Sequence, residues 1–452
     1  MIRLKNKDFY KELFKLALPI ALSSLVSFSV ALADNMIIAR LGNEAASSVY
    51  LGNQVALLLT MLLAGIEGTI LVLSSISLGK NDAESAGASA VIGIALALAL
   101  GAVFSAASVF FPKAVLSLFA RDSSLVEGGA PFLFFLGISF VFFAPSQAIA
   151  AALRSAKRAR IAFFASLSAF IVNVILNIVL VFGGIGFKSY GPMGAGIATL
   201  VSRVVEFAIL FVCAFFVGRE LRLSFLIKLR IKREQIKRFF GVAAPLIATQ
   251  LVWAVNSFFS TALMGREGGD VIAGLSAASS LYNLAYVATN GTSGALGVII
   301  GRAVGEGGEE SGRKYREYSK SAQLIFLVLG ILTAAFMQLL RAPFVSLFAI
   351  EGAARTWGFS FINLFSLLVL GTAYQSATLN GLIKSAGRVR FVLRLESFFV
   401  FCIIIPASLL ASSLGASPLL IFAILKCDQL LKCPAAYLKL RGILAENKTK
   451  KQ

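Results

Sequence analysis

Long apolar runs, separated by short charged stretches, dominate the chain. Twelve of them stand out, at roughly 14–38, 46–78, 85–111, 128–152, 161–183, 193–217, 239–264, 271–301, 319–340, 358–382, 391–413 and 417–438. A helix needs about 20 apolar residues, at about 1.5 Å each, to cross the hydrocarbon of a bilayer, and each run reaches that length. A barrel strand would need only about 10 residues of alternating character. The pattern therefore predicts an all-α membrane protein with twelve transmembrane helices.

The pattern also repeats. ALPIALSSLVSFS from Ala17 resembles AAPLIATQLVWAV from Ala243, which sets Pro19 against Pro245, an offset of 226. SLGKNDAESAG from Ser77 resembles AVGEGGEESGR from Ala303, again at 226. LSLFARDSS from Leu116 matches VSLFAIEGA from Val345 at 229, and LRSAKRAR from Leu153 matches IKSAGRVR from Ile383 at 230. Four matches in order imply a duplication of six helices. Six is even, so the halves share one orientation and are parallel repeats about an axis along the membrane normal. The expected division is an N-lobe over 1–217, a basic cytoplasmic linker over 218–238 and a C-lobe over 239–452, with a central cavity.

Charge sets the orientation. With the N-terminus inside, 32 Lys and Arg fall on the cytoplasmic side and seven on the other. By the positive-inside rule both termini are cytoplasmic, in the plasma (cell inner) membrane. This placement accounts for the net charge of +20 without a nucleic-acid partner. Only 14% of residues are charged, against about 25% in soluble domains, and no polar segment is long enough to build a soluble domain. The basic start, MIRLKNKDFYKELFK, reads as a lead into the first helix; the apolar run after it is too long for a signal peptide. The chain has no histidine, which excludes a His-ligated metal or a His proton relay. Cys213, Cys402, Cys427 and Cys433 form no C-x-x-C pair and read as small buried hydrophobes.

With this architecture the chain resembles the multidrug and toxic compound extrusion (MATE) transporters over nearly its whole length. The resemblance rests on ALPIALSS at Ala17, DNMIIARLGNEAAS at Asp34, SLGKND at Ser77, LRSAKRAR at Leu153, NVILNIVLVFG at Asn173 and GPMGAGIATLVS at Gly191. It implies efflux of organic, often cationic, compounds in exchange for sodium or protons. It also implies that Asp34, Asn173, Asn177 and Thr199 fall on the positions of an N-lobe cation site. Many relatives carry aspartate where this chain has Asn177. Some branches carry acids on the seventh and tenth helices; this chain has none there.

The residues support a site on their own terms. An acid inside a membrane helix costs about 2.5–3.5 kcal/mol on insertion scales and is functional by default. Asp34 lies about 6 Å inside the end of the first span. Asn173 and Asn177 are at i and i+4 on the fifth, and Thr199, Arg203 and Glu206 form one stripe on the sixth. Helix directions put Asp34, Asn173, Asn177 and Thr199 at one level. One carboxylate, two amides and a hydroxyl suit sodium or a protonated Asp34; equally, paired asparagines join helices. Glu67, near the midplane of the second span, reads as a second carrier or a counter-ion for substrate, or as a partner of Arg203. With Glu67, Arg203 and Glu206 read as a substrate or second ion site, or else as a pair with each other at i,i+3. In the C-lobe, Asn256, Tyr282, Asn283 and Gln375 read as polar cavity groups. Glu396 reads as interfacial, and Asp428 as a partner of Lys432 at i,i+4. The Ser-Leu-Phe-Ala segments after Pro112 and Ala342 read as interfacial turns.

The function expected is a secondary exporter, a sodium or proton antiporter for organic cations. It should act as a monomer among membrane lipids, with no cofactor beyond a bound Na+ or H+. Two alternatives are a flippase for lipid-linked saccharides, whose phosphates would want a cationic cavity, and a non-transporting receptor or scaffold. No nucleophile–base pair or phosphate loop points to an enzyme.

Overall fold

The computed structural model describes residues 7–119, 122–183, 188–217, 231–348 and 350–449. Most of the expected linker lies outside them. The described residues are helical throughout, with connections of a few residues. Eleven of these helices are long and apolar enough to cross a membrane. Their outer faces carry large apolar side chains, among them Phe110, Phe164, Ile175 and Leu339, as lipid contact requires.

The first half comprises α1 (Lys7–Ala39), α2 (Asn43–Gly79), α3 (Ala83–Phe110), the short α4 (Pro112–Ser117), α5 (Ser123–Ser155), α6 (Ala159–Phe182) and α7 (Gly191–Val217). The second comprises α8 (Arg233–Met264), α9 (Gly269–Glu306), α10 (Gly308–Leu347) and α11 (Gly352–Gln375). It continues with α12 (Val389–Phe398), α13 (Ile405–Ser413), α14 (Pro418–Leu425) and α15 (Asp428–Thr449). The interfacial turn expected after Pro112 is α4. Its counterpart after Ala342 is instead the end of α10, which runs through Pro343.

The duplication is visible in the backbone. Gly42 and Gly268, 226 apart, precede α2 and α9 with φ of 103° and 104°, a left-handed conformation that costs glycine nothing. Neighbours repeat as well: α5 packs on α2, α3 and α7, and α11 packs on α9, α10 and α15. Small residues make these crossings close, as packing between lipid-embedded helices requires. A Cβ at Gly101 would lie 2.6 Å from the Phe140 carbonyl oxygen, and one at Gly137 would lie 2.5 Å from Ser108 Cβ.

The chain forms two compact units, residues 22–247, and residues 1–21 with 248–452. These differ from the expected lobes at both ends: the start of α1 packs in the C-terminal unit and the start of α8 in the N-terminal unit. Phe9 stacks on Tyr318 with ring centroids 4.5 Å apart, while Phe239 and Ala243 join the core of the 22–247 unit. The changeover follows Pro19 in α1 and Pro245 in α8. A proline inside a helix removes one backbone hydrogen bond and permits a bend.

The twelfth span departs from expectation. It is broken: α14 has eight residues, about 12 Å of helix, and ends before Lys426 and Cys427. Two further irregularities lie close in sequence. Ser376–Ile383, after α11, and Phe399–Ile404, between α12 and α13, are π-helical. The second precedes Pro406, whose missing N–H favours such a widened turn.

The cysteines are not the buried hydrophobes expected. Cys402 is exposed, the other three are half-buried, and all are free thiols. Helix surfaces facing lipid accommodate a thiol as readily as a core does.

Candidate functional site

In the N-terminal unit, α1 and α6 bring the first candidate group together. Asn177 Nδ2 donates to Asp34 Oδ1 at 2.8 Å and, one helical turn back, to Asn173 Oδ1 at 3.1 Å. Asn173 and Asn177 are buried. Their remaining polar atoms, Asn173 Nδ2 and Asn177 Oδ1, are buried with no hydrogen-bond partner. Buried polar atoms are nearly always satisfied, so this cluster has bonding capacity left over. The donor set is a carboxylate beside an unclaimed amide oxygen. It fits a small hard cation or a proton on Asp34.

Thr199 on α7 is not part of this chain of bonds. Its hydroxyl donates to the Ala195 carbonyl at 2.9 Å, on its own helix. Arg203 and Glu206 pair as their spacing predicts, at 2.7 Å. The pair is held on both sides: Ser166 donates to Glu206 at 2.8 Å, and the Arg203 guanidinium lies 4.5 Å over the Phe143 ring.

Glu67 pairs with Arg154 at 2.6 Å, not with Arg203. Arg154 stands at the end of α5 and counted only toward topology in the sequence. Both side chains are half-buried. Glu67 is therefore bound to an arginine of α5 rather than isolated.

Of the four polar residues expected to line a cavity in the C-terminal unit, Tyr282 and Gln375 meet at one junction: the Tyr282 hydroxyl bonds Thr372, and Thr372 and Gln375 both bond Gln429. Asn256 on α8 is buried, with its Oδ1 unpartnered, and Asn283 on α9 is exposed. Tyr282 stacks on Phe365 at 4.6 Å between centroids and lies parallel to Tyr286 at 5.8 Å. Gln375 does not stand free: its Nε2 donates to the backbone oxygens of Asp428 and Gln429 at 2.8 and 2.7 Å. Glu396 pairs with the buried Lys432 at 2.5 Å. Lys432 also pairs with Asp428 at 2.7 Å, as expected from their spacing. Sequence spacing could not reveal Glu67–Arg154 or Glu396–Lys432, since each joins residues on different helices. The one available signal was a lysine inside an apolar span.

A duplicated, all-helical, multi-pass chain with a carboxylate set between two of its helices has the fold of a membrane transporter. The MatE family model matches residues 19–179 and 245–410, segments that begin at the two prolines of the repeat. The chain belongs to the MATE family.

Among curated proteins it is 24% identical over 353 residues to the probable multidrug resistance protein NorM of Neisseria meningitidis serogroup B, covering 75% of this chain and 74% of that one. It is 21% identical over 392 residues to the uncharacterized transporter YisQ of Bacillus subtilis, covering 86% and 84%. Among solved structures, an outward-facing multidrug resistance MATE family transporter matches with TM-score 0.86 and 21% identity, covering 98% and 97%. A MOP superfamily transporter from Pyrococcus furiosus, described as having a binding pocket of reverse polarity, matches with TM-score 0.86 and 20% identity over the same shares.

Proposed function

We propose that the protein is a secondary exporter of small organic cations, driven by sodium or protons, with Asp34 as the coupling carboxylate. The observation that carries this reading is the Asp34–Asn177–Asn173 chain, with its unclaimed amide oxygen, inside membrane-spanning helices. A monovalent cation or proton entering from outside neutralises Asp34. Asn177 holds one carboxylate oxygen and Asn173 fixes the Asn177 amide, so the ion meets a preset donor set. For antiport, ion and substrate must favour different conformations; a ligand with equal affinity for both shifts nothing. Asp34 lies on α1 beyond Pro19, on the segment that belongs to the 22–247 unit, where a change of charge acts on α1 and α6 together.

Multidrug efflux comes to this chain from the relatives named as probable multidrug resistance proteins. Asp34, bonded to an amide, supports a preference for cationic substrates, whereas Glu67 and Glu206 are each matched by an arginine. Both termini face the cytoplasm of the plasma membrane, as the distribution of Lys and Arg supports, and the protein acts as a monomer.

The test is efflux of a fluorescent organic cation from proteoliposomes, with sodium and pH gradients imposed separately. One gradient should drive efflux in the wild type, and Asp34→Asn should abolish it. Equal transport by Asp34→Asn would sink the coupling role.

A further inference from the structure

The break in the twelfth span carries a charge cluster that the coupling site does not use. Lys432 on α15 is 1% exposed. Its Nζ donates to Glu396 Oε2 on α12 at 2.5 Å and to Asp428 Oδ2, one turn back on α15, at 2.7 Å. The ring of Phe399 lies 5.7 Å from the same nitrogen. Lys426, in the break itself, lies 5.9 Å over the Phe422 ring. One ammonium, that of Lys432, thus meets two carboxylates.

The surroundings are built rather than incidental. Gln375 binds two backbone oxygens at the start of α15, and the Thr372 hydroxyl bonds Gln429 Oε1. Gly371 faces the Gln429 carbonyl with no room for a Cβ. These contacts hold the start of α15, and with it Asp428, against α11.

A buried charge persists only when it is paired and hydrogen-bonded. Two carboxylates from different helices converging on one buried positive charge is the donor arrangement of an oxygen-ligated monovalent-cation site. Here the cation is part of the chain. We propose that Glu396 and Asp428 form a monovalent-cation site in the C-terminal unit that is filled by the ammonium of Lys432, so that this unit carries its cation covalently and draws none from solution. Trimming Lys432 should open the site to sodium or a small primary ammonium. The inference does not depend on which ion Asp34 takes.

The experiment uses the purified full chain in the Asp34→Asn background, which removes the other candidate ion site. Thermal unfolding is measured at equal ionic strength in sodium, methylammonium or choline chloride. Lys432→Ala should unfold at lower temperature in choline and recover by about 2–4 °C in sodium and methylammonium. Adding Glu396→Gln should remove the recovery. The same midpoint in all three salts, or a recovery that survives Glu396→Gln, would overturn the proposal. Should Lys432→Ala not fold, Lys432→Met keeps the volume and leaves both carboxylates unbalanced. Sodium should raise its midpoint too, and insensitivity to sodium in that variant would overturn the proposal equally. Because the readout is stability, it is separate from whether the protein exports organic cations.

Discussion

Gly291 and Ala21 meet backbone to backbone: a Cβ at Gly291 would lie 2.6 Å from the Ala21 Cα. The contact recurs at the repeat offset of 226, where a Cβ at Gly65 would lie 2.7 Å from the Ile247 Cα. Each compact unit thus receives a helix segment flanking a repeat proline against a glycine. Alanine normally stabilises a helix interior by about 0.5–1 kcal/mol over glycine. Here the sign should reverse, with Gly65→Ala and Gly291→Ala each destabilising by about 1–3 kcal/mol through overpacking. Gly294→Ala is the control, since its nearest neighbour would be 3.5 Å away at Ile20 Cγ2. Thermal midpoints of the three variants decide the matter.

Asn177 donates to Asp34 at 2.8 Å, and a hydrogen bond to a charged group contributes about 1.5–3 kcal/mol. Asn177→Ala also removes the unclaimed amide oxygen offered to a cation, and that loss should raise the sodium concentration for half-maximal transport by about tenfold. Thr199→Ala should have a smaller effect, because that hydroxyl donates to Ala195. Ion titrations of dye efflux in proteoliposomes compare the two.

Glu67 and Arg154 pair across α2 and α5 at 2.6 Å. Removing one partner leaves a half-buried charge without its mate. Glu67→Gln and Arg154→Gln should each destabilise by about 1–3 kcal/mol. The double variant should cost less than the sum of the two, and a double-mutant cycle on thermal stability measures the difference. Additive losses would mean the pair is not coupled.

Asp82 lies outside the membrane, where it caps α3 by accepting from the Ser85 N–H at 2.9 Å. Bonds from the Ser85 side chain and then its backbone hold this carboxyl below its usual range. The sign follows: a folded value below the unfolded one, about 3.9, means the charged form stabilises the fold. That stabilisation is complete above about pH 4 and is lost as pH falls through the folded value. Asp82→Ala should cost about 1 kcal/mol at neutral pH. Its deficit relative to wild type should shrink toward pH 3, and parallel melts between about pH 3 and 7 test this.

Much of the architecture was legible in the sequence because lipid imposes one rule on every span: its backbone must satisfy its own hydrogen bonds. The length of each apolar run, the offset of 226 and the Asn173–Asn177 spacing follow from that rule and from helical periodicity. The break at Lys426 was masked because residues 419–425 and 430–431 keep the run apolar around Lys426, Asp428 and Lys432. The partners of Glu67 and Glu396 were hidden because each lies on another helix, where spacing along the chain carries no distance.

The sequence by itself determined the class of protein, its duplication and the one acid of the first span, since these depend on local composition and period. Tertiary structure alone decided that α1 and α8 each divide between two units, that Asp34 meets Asn177 and leaves Thr199 aside, and that Lys432 pairs with two acids. Those outcomes depend on which helix faces cross and how closely, which glycine positions and prolines permit but only packing in three dimensions selects.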